Sequence, residues 1–199
     1  MIQLQVTDPH FFWYLSRASG MLAYLILCAS VILGLRVRTR TLGKVGASWG
    51  AFDLHQLASL AGLGALALHV FSLLGDKWFA FGLRELFVPL ASPYRPVPTA
   101  LGVIALYLLV AVLASSYLRK RISHRAWHAI HLLSFVAFGL ALFHGLGAGT
   151  ESAEPWARAL YWLTGTVVGV LFLARLFDPA PRAKKPKPVE LRGVEPLTS

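Results

Sequence analysis

Long apolar blocks alternate with short polar segments along the chain. Five blocks, at about Phe11–Leu35, Phe52–Leu74, Thr99–Leu118, Ala126–Leu146 and Ala157–Phe177, each run for 20 to 25 residues with almost no charge. At 1.5 Å per residue, about 20 residues of helix cross a hydrocarbon core of about 30 Å. None of the blocks alternates with period two. In lipid only helices and closed barrels satisfy their own backbone groups, so each block predicts a transmembrane helix. The expected fold is an all-α integral membrane bundle of five helices over residues 1–177. A basic, Pro-rich segment, residues 178–199, follows it.

Composition agrees with that pattern. Of the 199 residues, 56% are hydrophobic and 14% charged, well below the roughly 25% charged of soluble domains. A net charge of +10 invites a nucleic-acid reading, but its distribution excludes one. The first loop carries Arg36, Arg38, Arg40 and Lys44, the third Arg119, Lys120, Arg121 and Arg125, and the tail Arg182, Lys184, Lys185, Lys187 and Arg192. The second loop has three basic residues over a longer stretch, and the fourth has two glutamates and none. The basic segments fall on one side of a five-helix layout. The positive-inside rule therefore predicts an N-terminus outside and a C-terminus in the cytoplasm. The first block lacks a basic leader and is too long for a signal's apolar core, so no cleavable signal is expected. The aromatic, Pro-rich second loop predicts a short surface helix and then a turn at "SPYRP". One cysteine, Cys28, excludes an internal disulfide, an all-cysteine iron–sulfur cluster and a C-x-x-C-H haem attachment. No dinucleotide or P-loop glycine pattern occurs, nor a repeat of 20–50 residues.

Within the apolar blocks the chemistry lies in histidine. His10 precedes the first span, and His124 and His128 lie at the cytoplasmic start of the fourth. His55 and His69 fall in the second span and His131 and His144 in the fourth; 69 − 55 = 14 and 144 − 131 = 13. Both pairs are about 20 Å apart along their helices. The two spans run in the same direction, so His55 and His131 share the inner level and His69 and His144 the outer. Ionisable residues inside a span mark function. Two facing imidazoles at each of two depths suit two six-coordinate haems, since neutral imidazole ligates haem iron and an apolar pocket suits the porphyrin. A haem-free bundle, its histidines bonding between helices, is the alternative. Thirteen residues turn His144 well away from His131 on an ideal helix; a tilt, or a distortion near Gly139, is needed to realign them. Leu63, Phe135 and Phe138 are expected to line an apolar gap between the levels.

The pairs "HQLASLAGLGALALH" and "HLLSFVAFGLALFH" resemble, in their spacing, the ferric reductase-like transmembrane family, which includes NADPH oxidases, ferric reductases and the membrane cytochrome of bacterial methionine sulfoxide reductase. The resemblance covers about residues 11 to 177. It implies two haems b, with His55 and His131 binding the inner iron and His69 and His144 the outer. It also implies that Arg17, in "YLSRASG", meets an outer-haem propionate, and that Arg125 or His124 serves an inner one. The family's oxidases have six spans and a cytoplasmic flavin and nicotinamide domain. This chain has five spans, and no flavin or nicotinamide site is expected in it.

The function expected is transmembrane electron transfer in a bacterial plasma membrane. A cytoplasmic donor (a flavin reductase, reduced flavin or quinol) passes electrons through the inner and then the outer haem. The acceptor at the outer face is ferric iron, dioxygen or a periplasmic reductase partner. Two axial histidines leave no open iron position, so dioxygen would be reduced without binding iron. A non-catalytic cytochrome subunit of a respiratory or photosynthetic complex is the second reading, and a haem-free transporter or scaffold the third.

Overall fold

The computed structural model describes residues 10–38, 49–76 and 81–177. It is helical, with no strand among the described residues. Among the described residues, five helices are long and apolar enough to cross a membrane: α1 (Phe11–Arg38), α2 (Trp49–Gly75), α4 (Pro96–Tyr117), α5 (His124–Ala148) and α6 (Pro155–Phe177). A short helix, α3 (Leu83–Phe87), sits between α2 and α4, where the second loop predicted one. The most apolar stretch of each long helix is at most 33% buried. Side chains such as Leu57, Phe71 and Leu163 are more than 60% exposed, which in water would be a large aggregation surface and in lipid is the solvated face. The basic tail and most of the first loop lie outside the described residues.

Local chemistry sets the helix boundaries a few residues from those the hydropathy predicts. α4 begins at Pro96 rather than Thr99 because proline suits the first helical position, where its missing N–H is not needed. Ser123 caps α5, its hydroxyl accepting from the Ala126 N–H at 3.2 Å, so that helix starts at His124. The "SPYRP" turn is fastened to the far end of α5. The Tyr94 hydroxyl donates to the Ala148 carbonyl at 3.1 Å and the Arg95 guanidinium to the Gly147 carbonyl at 2.7 Å, satisfying two carbonyls that the end of a helix leaves free. Tyr107 on α4 donates to the Phe87 carbonyl and ties α3 down.

The helices form two antiparallel hairpins, α1 along α2 and α4 along α5. The α6 helix packs against α1 and α5 and closes one side of the bundle. Its contact is an apolar core of Tyr24, Cys28 and Val31 from α1, Phe138 and Leu142 from α5, and Tyr161 and Val168 from α6. The Tyr24 ring stacks on Phe138 at 5.7 Å, and its hydroxyl pairs with Thr164 at 2.5 Å. A hydroxyl this deep needs a partner, since desolvating it alone costs about 1–3 kcal/mol. Phe138 therefore belongs to the α1–α5–α6 core. This corrects its expected place between the two histidine levels, because the face of α5 that carries it packs on Tyr24 of α1 in that core and does not line the cavity between the histidines.

Candidate functional site

Between the two hairpins lies one cavity of about 960 Å³, lined mainly by apolar side chains and by all four histidines of the apolar spans. The His55 and His131 rings face each other with centroids 6.2 Å apart and planes 77° apart. The His69 and His144 rings do the same at 6.3 Å and 73°. The structure thus brings His55 to His131 and His69 to His144. Leu63 and Phe135 line the cavity with them.

What holds three of these rings was not anticipated. His69 Nδ1 bonds the Ser16 carbonyl at 2.8 Å, His144 Nδ1 the Pro98 carbonyl at 2.8 Å, and His55 Nδ1 the Ser30 carbonyl at 2.9 Å. A carbonyl only accepts, so in each ring Nδ1 carries the proton and Nε2 keeps its lone pair. In each case a glycine stands four residues beyond the carbonyl: Gly20, Gly34 and Gly102. Side chains on a helix cover the turn before their own Cα, so a glycine there uncovers the carbonyl and lets a ring approach. A Cβ at Gly102 would lie 2.6 Å from His144 Nδ1, and one at Gly20 2.8 Å from His69 Nδ1. At Gly34 the nearest atom, His55 Cε1, would be 3.3 Å away.

The fourth ring differs. His131 Nδ1 is buried and has no hydrogen-bond partner. The ring instead stacks on Trp127, centroids 5.1 Å apart and planes 22° apart. The indole Nε1 is likewise buried without a partner, and the Arg119 guanidinium lies 4.5 Å above the indole.

The charged candidates sit at the ends of the cavity. Arg17 lines it at the His69/His144 end, paired with Glu151 and lying 4.0 Å over the Trp13 ring. Glu151 comes from the fourth loop, whose charge count alone gives no sign of this contact. Arg125 is exposed and outside the lining, whereas Arg119, His124 and His128 are part of it. His10 packs edge-on against Trp13 and Tyr14 at the start of α1.

The cavity suits a group that takes two opposed nitrogen ligands from the protein. No cluster of three or more His, Cys, Asp or Glu side chains that could hold a metal occurs among the described residues, so each level offers two ligands. A metal bonded to one nitrogen of each ring at roughly 2 Å holds the centroids about 6 Å apart. The ring separations of 6.2 and 6.3 Å match that spacing.

Residues 19–142, more than half of the chain, match the family described as ferric reductase like transmembrane component. No solved structure matches the chain.

Proposed function

As this chain belongs to the ferric reductase-like transmembrane family, we propose that it is a membrane electron-transfer component holding two b-type haems. One lies between His55 and His131 and the other between His69 and His144. Domains of the family generally bind haem. The observation that carries the reading is the repetition: two opposed imidazole pairs, at nearly equal separation, at two levels of one apolar cavity. When bound, the two haems supply one-electron carriers at two depths of the membrane.

The residues of the chain hold, orient and insulate. Ser16, Ser30 and Pro98 carbonyls fix the tautomer of three ligands and aim their Nε2 atoms into the cavity. A hydrogen-bonded Nδ1–H also makes the ring a more basic donor. Leu63 and Phe135 supply apolar wall and no proton-carrying group. Arg17 is the cation available to an acidic haem edge at the His69/His144 level, where it would exchange Glu151 for the new partner. At the other level that role is open to Arg125 from the surface and to Arg119 from the cavity wall.

The loop charges set the direction. With the first and third loops in the cytoplasm, the His55/His131 level faces the donor and the His69/His144 level the acceptor. The donor is a cytoplasmic flavin reductase, reduced flavin or quinol. The acceptor at the outer face of a bacterial plasma membrane is ferric iron, dioxygen or a periplasmic reductase partner. A reduced-minus-oxidised spectrum of the purified chain, read with the haem-to-protein ratio, tests the proposal. Two b-type haems per chain are expected, and a chain with no b-type signal would overturn it.

A further inference from the structure

His131 is the odd member of the four histidines, and the reason lies in one residue of spacing. On α2, 14 residues fall about 40° short of four turns, so both rings leave the same face and both reach carbonyls of α1. On α5, 13 residues fall about 140° short. The helix is unbroken from His124 to Ala148, and nothing packs within 4 Å of a Cβ placed at Gly139. The rotation is therefore not relieved by a break. His144 leaves the face that meets α4 and bonds Pro98; His131 leaves a different one and bonds no carbonyl. One turn earlier on that second face stands Trp127, at i and i+4 with His131.

We propose that Trp127 is the positioning residue of His131, its ring face replacing the helix carbonyl that orients the other three imidazoles. The proposal rests on the two-haem reading and deepens it. An imidazole whose Nδ1 has no acceptor is free to turn about its ring bond. A parallel aromatic face at 5.1 Å confines it to one plane and leaves its in-plane bonding to a ligand on the cavity side. The indole is in turn fixed by Arg119 above it and by His124, tilted against it at 5.6 Å. A stacked ring supplies orientation without the added basicity of a hydrogen-bonded Nδ1–H. The His55/His131 pair would accordingly offer its iron one donor without that added basicity.

The test is haem content and a potentiometric titration of the purified full chain, comparing wild type with Trp127→Ala, Trp127→Phe, Trp127→Leu and His131→Ala. Trp127→Ala is expected to lose most of one haem and keep the other. The retained haem should have the potential and the low-temperature EPR signature of the haem left in His131→Ala. Trp127→Phe keeps a ring face and should hold both haems. Should Trp127→Ala fail to assemble, Trp127→Leu, which keeps bulk but no ring face, decides in the same way. If the variant that assembles, alanine or leucine, holds both haems at wild-type potentials, the role of Trp127 is overturned while the two-haem reading stands. A wild-type chain without haem overturns that reading instead.

Discussion

At the His69/His144 level both imidazoles give their Nδ1–H to a helix carbonyl at 2.8 Å, each beside a glycine that makes room. At the His55/His131 level only His55 does so, and its neighbour leans on an indole. The four histidines thus form two pairs of nearly equal ring separation and unequal restraint. The difference traces to sequence spacing. Fourteen residues keep a histidine pair on one face of a helix, and thirteen do not. Equal ring separation does not require equal support behind the ring.

Substitutions at the glycines break this comparison most strongly. Gly102→Ala and Gly20→Ala would put a Cβ within 2.6 and 2.8 Å of a ring nitrogen, so the ring must leave its carbonyl. Disturbing such a support typically lowers metal-group affinity about 10–100-fold. Haem loss confined to the His69/His144 level is expected, read as haem-to-protein ratio on dilution. Gly34→Ala approaches His55 only to 3.3 Å and should cost much less at the other level. Equal losses from all three would mean that the glycines do not act through the rings. Next in size is Tyr24→Phe, which removes the partner of Thr164 in the α6 contact. It should lower thermal stability by about 1 kcal/mol and leave both haems bound. Ser30→Ala should do least. Its hydroxyl lies 3.2 Å from His55 Nδ1 while its carbonyl, which remains, is at 2.9 Å. A change in haem affinity below about fivefold is expected, the equivalent of a net hydrogen bond of about 1 kcal/mol.

Much of this was legible in the chain. Hydropathy alone located five spans, and counting placed four histidines at two levels, because both depend only on helix rise. The rotation of His131 was legible too, but its consequence was not: whether a turned ring finds a carbonyl depends on which neighbour it meets. Phe138 differs from expectation because apolar residues on α5 look alike until α1 and α6 are packed against one face. The partner of Arg17 is Glu151, 134 residues away in sequence (151 − 17), in a loop whose charge count said nothing of contact. One signal stood in plain view. Gly20 and Gly34 are 14 apart, as are His55 and His69, and a repeat that short marks the α1–α2 register.

The central claim, that four histidines hold two haems in two separable pairs, is tested most directly by haem-to-protein ratio in single and double ligand variants. Two haems are expected in the wild-type chain, one in His131→Ala and one in His144→Ala. The two single variants should keep different haems, and the double variant none. A His131→Ala chain that still carries two haems, or single variants that keep the same haem, would contradict it.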